Sequence, residues 1–200
     1  MALEAARAAL SGGITVLEIV VSTPGVYEVL RQLELDYPTA ILGVGTILDS
    51  RDAKDAIKCG VKFLMSPAIV MDIFEDVSDN QALYIPGVMT PTEILSVYNA
   101  GAKIVKVYPV SALGGVQYVA ALSKPFSHIP MVASQGIKTD MIGEYIGQGA
   151  SAVVLSDAIF DMAAMRDRDF TAIHHLACHA SLLGSEAVKR SLDDGRQISR

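Results

Sequence analysis

Short apolar runs alternate with longer amphipathic segments along the chain, and this alternation limits the folds that it can adopt. Seven runs of four to eight residues consist largely of β-branched and other apolar residues. Runs of this length and composition are typical of strands covered on both faces, as in a parallel sheet. The predicted strands are 14–21, 40–44, 61–65, 82–85, 104–108, 129–133 and 152–155. Strands that alternate with helices predict an α/β fold.

Helix start and end signals support this pattern. Thr90 stands before Pro91, and Glu93 follows, which is the arrangement of an N-cap, a first-turn proline and a capping box. Glycines at positions 13, 60, 101 and 149 mark the ends of helices. The predicted helices are 2–10, 24–36, 50–59, 69–77, 91–100, 116–123 and 139–148, and another begins near residue 169.

Two parallel architectures fit this order, a closed (β/α)8 barrel and an open doubly wound sheet. No Gly-x-Gly-x-x-Gly follows the first strand, which disfavours the dinucleotide-binding form of the open sheet. The chain begins with a helix, so a barrel would lack its first strand. We predict one domain over residues 1–190 and a flexible tail over residues 191–200.

Composition argues against several classes of function. The net charge of −6 provides no general basic surface, so nucleic acid is not an expected partner. No apolar stretch reaches the roughly 18 residues that a membrane helix needs. The two cysteines lack metal-ligand spacing, and no third ligand accompanies the histidines His174, His175 and His179, so we predict neither a metal nor a cofactor. A soluble, intracellular protein is expected.

Two charged residues stand inside apolar runs, Lys106 in 104–108 and Glu18 in 14–21. Burial lowers the pKa of a lysine, and a neutral amine is what a Schiff-base enzyme requires. Burial raises the pKa of a carboxyl, which suits proton transfer near neutral pH. The alternatives are a lysine that reaches solvent and a structural ion pair between the two.

Small and polar residues follow several strands. The carboxyl ends of parallel strands meet at one face, where barrels and open sheets place their reactive groups. Glycines there permit close backbone approach, and hydroxyl and N–H groups bind anions. Asp157 follows the last strand, and its ordinary role would be a helix cap. The candidate binding residues are Gly45, Thr46, Pro86, Gly87, Ser134, Gln135, Gly136 and Ser156.

Taken together, these strand-end motifs resemble the 2-keto-3-deoxy-6-phosphogluconate / 4-hydroxy-2-oxoglutarate (KDPG/KHG) aldolases, and the resemblance covers about residues 1–160. It is nearest to plant or algal members, which raises a plastid location beside a cytoplasmic one. The motifs are Val16-Leu17-Glu18, Gly43-Val44-Gly45-Thr46, Phe63-Leu64-Met65-Ser66-Pro67, Ile85-Pro86-Gly87, Lys106-Val107-Tyr108-Pro109, Gly114-Gly115 and Pro125-Phe126.

The resemblance implies a (β/α)8 barrel, usually assembled as a homotrimer, that cleaves a 4-hydroxy-2-keto acid to pyruvate and an aldehyde without a metal. By the same resemblance, Lys106 is the Schiff-base lysine and Glu18 the general acid and base. Gly45 and Thr46 match the place that holds the pyruvyl carboxylate, and the residues 86–87 line the same pocket.

Three positions depart from the pattern of the family where substrate anions are expected to bind. Ser22 stands where the family often has arginine, Ser134-Gln135-Gly136 replaces Thr-Gly-Gly, and Ser156-Asp157-Ala158 replaces Gly-Gly-Ser. Loss of an arginine and gain of an aspartate both disfavour phosphate, so we predict a preference for an unphosphorylated substrate such as 4-hydroxy-2-oxoglutarate. Two alternatives stay open, a catalytically idle barrel that serves binding or assembly, and an imine-forming 2-keto acid decarboxylase.

Overall fold

All seven predicted runs form strands in the computed structural model, which describes residues 1–77 and 82–193. The run 82–85 forms one strand that ends at Ile85, and a further short strand begins after Pro86, because proline has no N–H for the strand ladder. The strands are β1 (Val16–Val20), β2 (Ile41–Gly45), β3 (Phe63–Met65), β4 (Leu83–Ile85), β5 (Gly87–Val88), β6 (Val105–Val107), β7 (Met131–Ser134) and β8 (Ala152–Val154).

Every strand pair is parallel, and within each of two sheets every strand pairs with the next one in the sequence. The pairs form one sheet in the order β1-β2-β3-β4 and a second in the order β5-β6-β7-β8. Only Pro86 separates β4 from β5, so the two sheets form one curved wall. Within the described residues β1 and β8 do not pair, and the wall is open there. This is the geometry of a parallel barrel that lacks one strand.

Helices cover the outside of the wall. They are α1 (Ala2–Ser11), α2 (Val26–Asp36), α3 (Ser50–Lys58), α4 (Asp72–Asp76), α5 (Pro91–Asn99), α6 (Gly115–Ser123), α7 (Ile142–Gly147), α8 (Met162–Asp167) and α9 (Phe170–Asp193). The capping box is confirmed, since the side chain of Thr90 accepts from the N–H of Glu93, and Glu93 accepts from the N–H of Thr90.

Two local predictions need correction, and a third stays open. α2 begins two residues later than predicted, because Gly25 at its N-cap adopts φ 71°, a left-handed conformation that does not continue a helix. Asp161, not Asp157, caps α8, where its side chain accepts from two backbone N–H groups. α9 continues to Asp193, and Ser191 is buried. Most of the predicted tail, residues 194–200, lies outside the described part of the chain, so the tail stays a prediction.

The two faces of the wall carry different side chains. Outward-facing residues pack against the helices in large apolar clusters that include Leu17, Ile19, Val105 and Val107. Inside the barrel a smaller cluster contains Phe63, Met65, Ile85 and Val132, with Ile104 and Val154 against it. In the described residues no helix is both long and apolar enough to cross a membrane.

Candidate active site

Lys106 lies at the centre of β6 and faces the barrel interior. Its neighbours Val105 and Val107 pack outward, and Ile104, two residues earlier on the inner face, contacts the interior cluster. The lysine is only 6% exposed. Its Nζ atom lies 5.1 Å from the centroid of the Tyr108 ring, which follows on the same face. The Lys106 amine therefore lies in the barrel interior beside one aromatic ring, that of Tyr108.

Glu18 occupies the equivalent place on β1. Leu17 and Ile19 pack outward against the helices, so Glu18 points inward. A Cβ atom at position 45 of the neighbouring strand would lie 1.3 Å from Oε1 of Glu18. Glycine at position 45 is therefore required for this placement of the carboxyl group, a role that the sequence alone did not indicate.

Lys106 and Glu18 shift each other's pKa, but they do not form an ion pair. Among the salt bridges of the described residues, no Lys106 nitrogen lies within 4.0 Å of a Glu18 oxygen. Burial lowers the pKa of Lys106, and the Glu18 charge opposes this shift. Burial raises the pKa of Glu18, against the Lys106 charge. Both shifts favour the neutral forms, so the amine gains nucleophilicity and the carboxyl can hold a proton.

Two residues at the mouth of the barrel adopt a left-handed backbone. Thr46, directly after β2, has φ 59°, and Gln135, directly after β7, has φ 86°. Such conformations cost non-glycine residues on the order of 1 kcal/mol and occur where the surroundings impose them, often at functional sites. The side chain of Gln135 helps to hold this backbone conformation, because its Oε1 accepts a hydrogen bond from Ser111 Oγ at 2.5 Å. Sequence reasoning had not singled out Ser111.

The other candidate residues fall into two groups. Gly87 pairs in register with Lys106, and the Pro86 carbonyl accepts a hydrogen bond from the Lys106 N–H, so both adjoin the lysine. Ser134, at the end of β7, is 3% exposed, whereas Gly136 and Ser156 are exposed on loops that follow β7 and β8. The structure thus places Lys106, Glu18 and the residues at 45 and 86–87 around the interior, and the remaining candidates at its mouth.

Comparison with known proteins identifies the family of the chain. A family model described as "Aldolase: KDPG and KHG aldolase" matches residues 1–176. The chain belongs to the KDPG and KHG aldolase family. Membership confirms the expected enzyme class, an aldolase, which is a carbon–carbon lyase. Among the described residues no group of three His, Cys, Asp or Glu side chains is arranged to hold a metal ion.

Individual relatives agree with this family. The KHG/KDPG aldolase of Escherichia coli K12 is 26% identical over 175 residues, which span 88% of this chain and 82% of the relative. A 2-dehydro-3-deoxy-phosphogluconate aldolase of Pseudomonas aeruginosa is 30% identical over 141 residues, or 70% of this chain and 64% of the relative.

A solved structure confirms the barrel. The KDPG aldolase of Legionella pneumophila, with pyruvate captured as a covalent carbinolamine, superposes with a TM-score of 0.82 and 26% identity. The match covers 90% of this chain and 87% of that one.

Proposed function

We propose that this aldolase uses Lys106 as its Schiff-base lysine and Glu18 as its general acid and base. The observation that carries the assignment is the placement of a buried amine on β6 and a half-buried carboxyl on β1, both facing one interior, without an ion pair between them. Each group is available to a substrate that enters between them. A permanent ion pair would instead have occupied both.

The reaction begins when the neutral amine of Lys106 adds to the C2 ketone of a 4-hydroxy-2-keto acid. Glu18, in its protonated form, donates a proton to the C2 oxygen, which leaves as water and gives a protonated imine. The Glu18 carboxylate then removes the proton of the C4 hydroxyl. The C3–C4 bond breaks, the aldehyde leaves, and the electron pair moves into the imine to give an enamine.

The second half returns the enzyme to its starting state. The enamine takes a proton at C3, which gives the imine of pyruvate. Water adds to C2, the C–N bond breaks, and pyruvate and the free amine result. Glu18 alternates between acid and base through these steps, which a carboxyl with a raised pKa performs near neutral pH.

Borohydride reduction with pyruvate tests the assignment of Lys106. Reduction of the imine fixes the pyruvyl group to the amine, and peptide mass spectrometry locates it. We expect one adduct on Lys106, lost in Lys106→Met and kept in Lys103→Met, because Lys103 is exposed three residues earlier. No adduct on Lys106 would favour the binding or assembly alternative. If the adduct forms, release of CO2 instead of an aldehyde would favour the decarboxylase alternative.

We further propose that the enzyme prefers an unphosphorylated substrate such as 4-hydroxy-2-oxoglutarate. Ser22 follows β1 and Asp157 follows β8, and both side chains are exposed. They lie at the mouth of the barrel, where the distal end of a substrate would lie. The side chain of Asp157 has no ion-pair partner among the salt bridges of the described residues. An unneutralised carboxylate there repels a phosphate, and the Ser22 hydroxyl brings no charge to attract one.

The ratio of kcat/KM for the unphosphorylated and phosphorylated substrates measures this preference. We expect a ratio above one, and a shift of about fivefold toward the phosphorylated substrate in Asp157→Ser, which corresponds to roughly 1 kcal/mol for one charge near a surface. Asp167→Ser, at the far end of α8, is the matched control and should leave the ratio unchanged. A wild-type ratio at or below one would refute the preference.

We also propose that the protein assembles as a homotrimer. Exposed apolar side chains lie on three neighbouring loops at the mouth: Leu48 after β2, Met71 after β3 and Met89 after β5. Apolar groups that cluster in this way commonly mark protein interfaces. Light scattering coupled to gel filtration should give the mass of three chains, and Leu48→Glu with Met89→Glu should lower it. A monomeric mass for the wild type would contradict the assembly.

A further inference from the structure

Behind the barrel wall, two buried hydroxyl groups and a backbone loop form a closed hydrogen-bond network. Ser66 is 0% and Tyr84 3% exposed. The Tyr84 oxygen lies 2.7 Å from Ser66 Oγ and 3.1 Å from the backbone nitrogen of Val70. Ser66 Oγ lies 2.5 Å from the carbonyl oxygen of Ala68. The loop 66–70 is thus held at both ends and in its middle.

The donors and acceptors permit only one direction through this network. The Val70 N–H donates to the Tyr84 oxygen. The Ala68 carbonyl can only accept, so the Ser66 hydroxyl donates its hydrogen bond to Ala68. Tyr84 therefore donates its own proton to Ser66 Oγ. Each hydroxyl group has one donor and one acceptor partner, as buried polar groups require.

Tyr84 itself lies outside the substrate pocket. Its β4 neighbour Ile85 points into the barrel, whereas Tyr84 belongs to the outer cluster and packs edge-on against Phe74 of α4, with ring centroids 4.9 Å apart. The tyrosine ring fills the space between wall and helix. Its hydroxyl alone reaches the loop 66–70.

The held loop forms part of the wall beside Lys106. A Cβ atom at position 87 would lie 2.3 Å from the carbonyl carbon of Pro67, so the Pro67 backbone occupies the space where a side chain of residue 87 would be. The Gly87 N–H donates to the Ala68 carbonyl at 3.3 Å. Gly87 pairs in register with Lys106 on the next strand.

We propose that Tyr84 and Ser66 are positioning residues for the Schiff-base site, because they hold the Pro67 backbone against Gly87 and so shape the pocket wall next to Lys106. The inference rests on the proposed role of Lys106. Neither hydroxyl touches the substrate; each acts through the loop 66–70. A small displacement of Pro67 would change how the 2-keto acid lies relative to the amine.

The half-saturating pyruvate concentration for borohydride trapping at Lys106 tests this proposal. It does not depend on the fraction of folded enzyme, so a purely structural role would leave it unchanged. We expect a rise of about tenfold in Tyr84→Phe, since a misplacement of about 1 Å costs up to 100-fold. Ser66→Ala should give a similar rise, and the double variant no more than either single variant, because the two hydroxyls act as one unit.

Tyr37→Phe is the matched control. It removes a tyrosine hydroxyl that donates to a backbone carbonyl, that of Arg7, between α2 and α1 on the outside of the barrel. We expect it to keep the wild-type half-saturating concentration. An unchanged concentration in both Tyr84→Phe and Ser66→Ala would refute the positioning role and leave the Lys106 chemistry intact. Absence of any adduct on Lys106 in the wild type would refute the proposed function itself.

Discussion

Replacement of Gly45 by alanine tests how the fold places the Glu18 carboxyl, the proposed general acid and base. The added Cβ would lie 1.3 Å from Oε1 and 2.3 Å from Cδ of Glu18. Ordinary contact starts at 3.4 Å, so Oε1 must move by about 2 Å. Glu18 is a flexible side chain, and another rotamer costs on the order of 1 kcal/mol of stability. The fold should therefore survive, while the carboxyl leaves the position that we propose for catalysis.

The expected effect on activity is much larger than that on stability. A positioned general acid or base contributes about 10²–10⁴-fold to a rate, so Gly45→Ala should lower kcat/KM for aldehyde release by about 100-fold. Thermal unfolding should shift by only a few degrees. The control is Gly184→Ala, since a Cβ at that position of α9 meets no atom within 4 Å. It should keep full activity and gain stability from alanine's higher helix propensity.

A double-mutant cycle separates this effect from a general disturbance of the barrel. If Gly45→Ala acts by displacing Glu18, it should cost little further activity in a Glu18→Gln background, because the carboxyl is already absent. Full activity of Gly45→Ala would refute the reasoning. So would an additive loss in the double variant, which would indicate that Gly45 acts independently of Glu18.

Three further predictions concern the wall, the lysine and a helix start. In Gly87→Ala the new Cβ would lie 2.3 Å from backbone atoms, which cannot rotate away, so we expect clear destabilisation together with loss of activity; unchanged thermal unfolding would contradict this. Burial lowers the pKa of Lys106, so its charged form destabilises the fold below that lowered pKa, and the cost disappears above the ordinary lysine value of about 10.4. Lys106→Met should therefore raise the unfolding temperature at pH 7, with a smaller gain toward pH 10, and a lower unfolding temperature at pH 7 would count against the assigned burial cost. Thr90→Ala removes the side-chain cap of α5 and should cost about 1 kcal/mol in urea unfolding without a change in KM, whereas an altered KM would mean that α5 also shapes the pocket.

The local patterns of the sequence predicted most of the fold. All seven apolar runs became strands, because β-branched residues covered on both faces admit few other structures. The errors arose at positions where one residue decides the outcome. Gly25 adopts a left-handed backbone that delays α2, and Asp161 rather than Asp157 finds free N–H groups to cap. Neither choice is visible in periodicity.

Lys106 and Glu18 could be predicted because a charge inside an apolar run is costly and therefore conspicuous. The roles that we propose for Gly45 and Tyr84 could not, because they depend on contacts between segments distant in sequence. Gly45 matters through the register of β2 with β1, and Tyr84 through a loop that follows β3. A glycine at a strand end and a tyrosine in a strand are both ordinary by themselves.

A crystal structure of the enzyme soaked with pyruvate tests the central claim most directly. We predict continuous density from Lys106 Nζ to C2 of pyruvate, with the Glu18 carboxyl within hydrogen-bonding distance of the adduct or linked to it through one water molecule. Pyruvate bound without a covalent bond to Lys106, or attached to another lysine, would contradict the account.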